Sequence, residues 1–170
     1  FAIQSYTVNP VTPIAVSGTK ISDVLCKGGN TGAIQFTVSG NATVGNYTYS
    51  LTSGTGTLVK SGNTVNLTNL IAGSYTLQVT DNLTGCIANA TIVISEPSAA
   101  VSITSAIGTN VNCNNDNSQI TVTATGGTPN YTYAFAKSPS TVPSSTYGSS
   151  AILTVDTNSS ADLVWDVYVK

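Results

Sequence analysis

The feature that most constrains the fold of this 170-residue chain is an internal repeat. Cys26 and Cys113 are 87 positions apart, and Pro10 and Pro97 share that offset. Two longer segments recur in the same order at slightly shorter offsets: 32–40 with 118–126, and Asn46-Tyr47-Thr48-Tyr49 with Asn130-Tyr131-Thr132-Tyr133. Because the landmarks keep their order, the chain is predicted to be part of a tandem array of similar units.

The offset divides the chain into three parts. Residues 1–11 are predicted to be the last strand of a preceding unit, residues 12–97 a complete unit, and residues 98–170 a second, divergent unit without its last strand. The last prediction follows from aligning Tyr75–Val79 with Trp165–Val169, which leaves the second unit without a counterpart of 81–95.

The units read as β-strands because their apolar residues alternate with Thr, Ser or Asn. Examples are Ile34, Phe36 and Val38, then Tyr47, Tyr49 and Leu51, and then Tyr75, Leu77 and Val79. Gly and Asn clusters interrupt these runs about every eight to twelve residues, the spacing of a β-sandwich. No segment has helical spacing. The predicted fold class is all-β, as tandem immunoglobulin-like antiparallel β-sandwich modules.

Composition excludes several classes of function. Only 7% of residues are charged, the five basic residues are all Lys, and the net charge is −2, so nucleic-acid binding is not expected. No apolar run approaches the ~20 residues that span a bilayer, so this segment is not expected to insert into a membrane. A surface of neutral Thr, Ser, Asn and Gly favours a secreted, extracellular repeat protein.

The residue inventory argues against catalysis. The chain has no His, a single Glu and six scattered Asp residues. It therefore offers no Ser-His-Asp or Cys-His set and no evident pair of carboxylates for acid–base work. Without His or a closely spaced pair of Cys, a zinc site also lacks its ligands. The chain is predicted not to be an enzyme and to need no cofactor or metal.

The three cysteines are predicted to form disulfide bonds that join the ends of each module. Cys26 precedes the first long strand and Cys86 opens the last, so in a sandwich the two could meet as a disulfide worth about 4 kcal/mol in the chain-entropy model. Cys113 would then pair with a cysteine beyond Lys170. The alternative is three unrelated buried thiols.

Two sets of residues are candidates for ligand binding, one for calcium and one for sugar. Asp23 and Asp81, near the module ends, are the best candidates for calcium between modules, although turn-forming Asp is favoured because the acids are mostly single. The tyrosine pairs could form a sugar-stacking platform, but burial in the core is favoured because they share a face with apolar residues. These pairs are Tyr47 with Tyr49 and Tyr131 with Tyr133.

Three blocks of sequence together resemble the SprB repeat, which occurs in very large surface proteins of gliding Bacteroidetes. They are Leu25-Cys26-Lys27-Gly28-Gly29-Asn30, Gly126-Gly127-Thr128-Pro129-Asn130-Tyr131-Thr132-Tyr133, and Ala72-Gly73-Ser74-Tyr75 with Gly85-Cys86. The second unit departs from the pattern: it has Asn112-Cys113-Asn114-Asn115-Asp116-Asn117 in place of the Gly-Gly turn, and Trp165 in place of the Tyr.

This resemblance implies an adhesin filament exported to the cell surface by the type IX secretion system, serving gliding motility or attachment. The expected partners are neighbouring modules of the same protein, and surface polysaccharide or other cells. Two alternatives remain open: an array of carbohydrate-binding modules in a secreted enzyme, and a strand-exchanged fimbrial subunit.

Overall fold

A computed structural model describes residues 1–7, 12–40, 46–109, 117–139, 147–156 and 164–170. The described residues form β-strands, turns and loops, with no helix among them. The chain divides into two compact units. Unit 1 comprises Phe1–Val24 and Gly28–Glu96, and unit 2 comprises Leu25–Lys27 and Pro97–Lys170. The predicted all-β class is confirmed.

Unit 1 contains two antiparallel sheets. The first has the order β1-β2-β5-β4, and the second the order β3-β6-β7. Their bounds are β1 (Ala15–Ser22), β2 (Gly32–Ser39), β3 (Tyr47–Ser53), β4 (Val59–Ser61), β5 (Thr64–Leu70), β6 (Gly73–Asp81) and β7 (Ile87–Ile94). Neighbouring strands pair in antiparallel register, as in Phe36 opposite Val65 and Leu77 opposite Ala90.

The core of unit 1 lies between these two sheets. Every second residue of β2 and β6 is buried while the residues between them reach the surface, because successive side chains of a strand point to opposite faces. Both sheets contribute fully buried side chains, among them Ile34, Phe36, Val38, Val65, Leu67, Tyr75, Leu77 and Val79. Unit 1 is therefore an immunoglobulin-like β-sandwich with its own hydrophobic core.

The chain enters and leaves unit 1 at opposite ends. A Cβ added to Gly18 in β1 would lie 2.6 Å from the side chain of Ile92 in β7, and one added to Gly32, beside the end of β1, would lie 2.8 Å from Ile94. Both strands therefore run in the same direction, with Ala15 at one end of the sandwich and Ile94 at the other.

Over its described residues, unit 2 has a similar but smaller set of strands. These are β8 (Ser102–Thr109), β9 (Asn117–Thr125), β10 (Tyr133–Lys137), β11 (Ile152–Asp156) and β12 (Trp165–Val169). One sheet has the order β11-β9-β8, and the other pairs β10 with β12. Among the described residues of unit 2, the buried apolar side chains are Val122, Ala134 and Val155, so this core is much thinner than that of unit 1.

The segment predicted as a preceding unit's last strand forms no strand over residues 1–7, and residues 8–11 lie outside the described part. Residues 1–7 are exposed, including Phe1, Ile3 and Tyr6. A strand needs the edge of a sheet to supply its backbone hydrogen bonds, and residues 1–7 pair with none of the named strands. Residues 1–7 therefore form no strand with the named sheets, and their assignment to a preceding unit stays a prediction.

Candidate functional site: the two ends of unit 1

At the end where β7 finishes, two carboxylates tie the departing chain to the loop that follows β1. The Ser95 N–H donates to Asp23 Oδ1 at 2.7 Å, and the Gly28 N–H donates to Glu96 Oε2 at 2.6 Å. The Val24 N–H also donates to the Ser95 carbonyl at 2.9 Å. These bonds fix where the chain leaves unit 1.

Asp23 has a second partner in the same region, since its Oδ2 lies 2.8 Å from Lys20 Nζ. The hydrogen bond from Lys20, followed by that from the Ser95 N–H, lowers the pKa of Asp23 below its ordinary value. Asp23 therefore stays ionised, and its carboxylate joins Lys20 to the Ser95 backbone at this end of unit 1. In the sequence analysis, a calcium ligand was weighed against a turn-forming Asp at this position, and nothing in the local pattern linked Asp23 to Ser95.

At the opposite end, Asp81 organises the turn between β6 and β7. Its Oδ1 accepts from the Leu83 N–H and its Oδ2 from the Thr84 hydroxyl, both at 2.9 Å. Asp81 is only 6% exposed, and the Leu83 N–H is the main cause that lowers the pKa of its carboxyl. The carboxylate completes an Asx-type turn, which is the structural role favoured from the sequence.

The two calcium candidates are therefore not brought together. Asp23 lies where β7 ends and Asp81 lies where β7 begins, and each has its oxygens engaged by protein donors. Within the described part of the chain, no three His, Cys, Asp or Glu side chains are grouped closely enough to hold a metal ion.

The predicted disulfide between Cys26 and Cys86 is wrong for this structure, in which both are free, exposed thiols. Val24 and Gly28, two residues on either side of Cys26, are bonded to the segment after β7, whereas Cys86 directly precedes β7. A strand rises about 3.3 Å per residue, so the length of β7 separates the two cysteines. A disulfide requires Cα atoms within about 7 Å. Cys113 lies outside the described residues.

The tyrosines of β3 do not form a flat platform. Tyr47 is buried, Tyr49 packs partly against the core, and their rings meet edge to face at 84° with centroids 6.2 Å apart. Lys60 Nζ lies 4.5 Å from the centre of the Tyr49 ring, and burial raises the pKa of that phenol. Two perpendicular rings cannot both stack on one sugar face, so the favoured core role fits this geometry.

Tyr75 has the structural role of a tyrosine corner. Its ring is buried beneath Gly54, and its hydroxyl donates to the Ile71 carbonyl at 2.9 Å. Gly54 has a φ of 80°, and a Cβ at that position would overlap the Tyr75 ring. In unit 2, the Tyr131 hydroxyl makes a similar short-range bond to the Gly126 carbonyl. In the sequence analysis, Tyr75 falls in an alternating run but Gly54 has no role, because the two residues meet only across the folded sheet.

The outer faces of the sheets carry neutral side chains that bond to one another. Thr76 and Thr91 join their hydroxyls across β6 and β7 at 2.9 Å, and Gln35 Nε2 donates to Asn66 Oδ1 across β2 and β5 at 2.9 Å. Such cross-strand pairs stabilise a sheet. They also leave a repeated surface of hydroxyls and amides that can form weak polar contacts.

Comparison with known proteins identifies the repeat. The sequence model described as the SprB repeat matches residues 18–56 and 105–135. The two matches begin 87 residues apart, the offset shared by the Cys and Pro landmarks. A search of curated proteins finds no match.

SprB repeats are structural repeats of surface adhesins of Bacteroidetes rather than an enzyme family. The part of the chain that the structure describes contains no helix that could cross a membrane. The two matching stretches, both within all-β units, support membership of the SprB-repeat family.

Proposed function

We propose that this chain is a mechanical, tension-transmitting segment of the stalk or filament of a secreted cell-surface adhesin, serving attachment or gliding. One observation carries the proposal: the polypeptide enters unit 1 at the Ala15 end and leaves it at the Ile94 end. Each repeat built in this way lengthens the filament by about the length of one sandwich. The nine residues of β6 correspond to about 30 Å at the usual strand rise.

The strand arrangement suits a segment under tension. When unit 1 is pulled through its two ends, β1 and β7 are drawn in opposite directions along their own axes. Seven residue pairs join β1 to β2, and eight join β6 to β7. Because the pull runs parallel to these ladders, their hydrogen bonds are sheared together rather than broken one after another. Such loading resists extension better than unzipping from one end.

The surface supports adhesion through many weak contacts. Its outer hydroxyls and amides carry no charge, and a tandem array repeats them many times. Linked weak sites raise the overall avidity without any single strong site, which agrees with a family of adhesins rather than enzymes. Neutral polysaccharide and the surfaces of other cells are the proposed partners.

Immunogold electron microscopy with an antibody raised against the whole 170-residue chain tests this function. On intact, unpermeabilised cells of the source organism, we expect gold particles outside the outer membrane, and we expect brief external protease treatment to remove them. An antibody against a periplasmic protein is the matched control and should label only permeabilised cells. Label that requires permeabilisation would contradict a surface role.

A further inference from the structure

Strand β3 lies at the edge of its sheet in unit 1. It occupies the middle of the unit in sequence, between β2 and β4. Among the described strands it pairs with β6 alone, so one side of its backbone faces away from the sheet. This side of β3 is called the free edge below.

The counterpart of β3 in unit 2 shows which backbone groups face that side. Residues 131–133 have the same Tyr-Thr-Tyr sequence as the start of β3. Thr132 exchanges backbone hydrogen bonds with Lys170 at 2.9 and 3.0 Å, and Tyr133 exchanges them with Gly148 at 2.8 and 2.9 Å. Because neighbouring residues of a strand bond on opposite sides, Gly148 lies on the side of β10 away from β12. In unit 2 this edge has an antiparallel backbone partner.

The same groups of β3 have no such partner among the described residues. The Asn82 N–H donates to the Asn46 carbonyl at 2.9 Å, so the alternation turns Thr48 toward β6, and it turns Tyr49 and Leu51 toward the free edge. No described backbone group bonds to Tyr49 or Leu51 on that side. An edge strand with unpaired N–H and C=O groups can accept a further extended chain.

The side chains of β3 define what that chain must look like. Thr48, Ser50 and Thr52 are exposed on the outer face, whereas Tyr49 and Leu51 are half-buried against the core. The strand has no charged residue and no Pro, two of the devices that usually keep identical edges apart. An added strand must therefore be uncharged, with apolar residues on the core side and small polar residues on the outer side.

Strand β3 itself meets this requirement when a second copy pairs with it in antiparallel register. Residues directly opposite each other in such a ladder point to the same face. When Ser50 lies on the twofold axis that relates the copies, Tyr49 lies opposite Leu51 of the second copy, and Thr48 lies opposite Thr52 of the second copy. The residues that face the free edge then exchange backbone hydrogen bonds, and aromatic–aliphatic and Thr–Thr pairs stabilise the ladder.

The position of Lys60 favours this register over the neighbouring symmetric one. Lys60 Nζ lies 4.5 Å from the centre of the Tyr49 ring. With Tyr49 on the axis, the two Tyr49 rings and their lysines would face each other directly, and like charges in that position destabilise a ladder. With Ser50 on the axis, the two tyrosines are offset along the strands and each one meets a leucine.

We propose that unit 1 binds a second copy of this chain through β3, so that two three-stranded β3-β6-β7 sheets join into one antiparallel sheet. The occupant is a second copy because β3 is complementary to itself in facing, side-chain character and charge. The two chains run in opposite directions, as filaments that reach from two facing cells would. That use of the contact rests on the proposed function, whereas the pairing itself rests on the fold of unit 1.

Light scattering on the purified full chain, over a wide range of concentrations, tests the pairing. The wild type is expected to pass from 17.3 kDa to twice that mass as concentration rises. Ser50→Lys, at an exposed residue, puts two ammonium groups opposite each other on the axis and should leave a monomer at low salt. Asn89→Lys, at an exposed residue of β7 in the same row of the outer face, is the matched control and should associate like the wild type.

A charge exchange gives a second readout that a loss of folding cannot produce. Ser50→Glu alone should be monomeric at low salt, like Ser50→Lys. An equal mixture of the two variants should form a mixed pair, because opposite charges then meet on the axis. High salt should weaken the mixed pair and restore the association of each variant with itself, because salt screens exposed charges.

Four results would overturn the proposal. The first is a wild type that stays monomeric at every concentration, and the second is Ser50→Lys that associates like the wild type. The third is a mixture of Ser50→Lys and Ser50→Glu that stays monomeric. The fourth is association lost in Asn89→Lys but kept in Ser50→Lys, which would assign the contact to the β7 edge. None of these results bears on the location of the chain at the cell surface, which the gold labelling tests separately.

Discussion

Replacing Tyr75 by Phe tests how the corner of unit 1 is held. The substitution keeps the buried ring and removes only the hydroxyl that donates to the Ile71 carbonyl. A typical intramolecular hydrogen bond contributes about 0.5–1.5 kcal/mol net. Ile71 is 55% exposed, so water can take over its carbonyl in the variant, and the cost should be about 1 kcal/mol instead of the larger penalty of a buried unpaired group.

For a domain of this size, 1 kcal/mol corresponds to a fall in Tm of about 4–8 °C. Differential scanning calorimetry should show this shift in the transition of unit 1. Tyr6→Phe, at a residue that is 82% exposed, should leave the profile unchanged. Tyr75→Ala also removes the buried ring and should cost about 3–5 kcal/mol, like other large aromatic truncations.

Two outcomes for Tyr75→Phe would refute this reasoning. An unchanged Tm would show that the hydroxyl bond contributes nothing, and a loss as large as that of Tyr75→Ala would show that the hydroxyl, instead of the ring, holds the corner.

Three further predictions concern the turns and the thiols. Gly54→Ala should lower the Tm of unit 1 by more than Gly62→Ala does. Both residues have positive φ, which costs about 1–2 kcal/mol for Ala, but only the Gly54 methyl would also overlap the Tyr75 ring. Equal losses in thermal melts would show that backbone strain is the whole cost and that the overlap contributes nothing. The lowered pKa of Asp81 stabilises the fold above the unfolded value near 3.8, and this contribution is lost as pH falls through the lower folded value. Wild-type Tm should therefore fall more steeply than that of Asp81→Asn in melts taken below about pH 4, and parallel curves would count against the Asx turn. Cys26 and Cys86 should both react with iodoacetamide in the native protein, and the Tm should be the same with and without reductant; protection of both thiols together with a reductant-sensitive Tm would restore the disulfide.

The fold was largely predictable because period-two alternation is a local signal. The runs through Phe36, Tyr49 and Leu77 became β2, β3 and β6, and the repeat offset located their counterparts in unit 2. The pattern does not say which ends of two strands meet. The predicted pairing of Cys26 with Cys86 requires a residue before the first long strand to lie near one that opens the last strand.

The features missed from the sequence depend on contacts between distant segments. Asp23 binds the Ser95 N–H 72 positions away, and Gly54 fits under Tyr75 through the packing of two strands. The sequence around Asp23 or Gly54 does not indicate which distant residue each one contacts. Strand direction removed the predicted disulfide: because β1 and β7 run the same way, the loop after β1 and the start of β7 fall at opposite ends of the unit.

Single-molecule force spectroscopy on the 170-residue chain, pulled through its two ends, tests the central claim most directly. Unit 1 should open in one abrupt event as its ladders shear together, releasing the chain from Ala15 to Ile94. At the extended length of about 3.3–3.6 Å per residue, and after subtracting the folded unit, the gain is about 250 Å. Gradual extension at low force, or one event that releases the whole chain together, would contradict a self-contained, shear-loaded repeat.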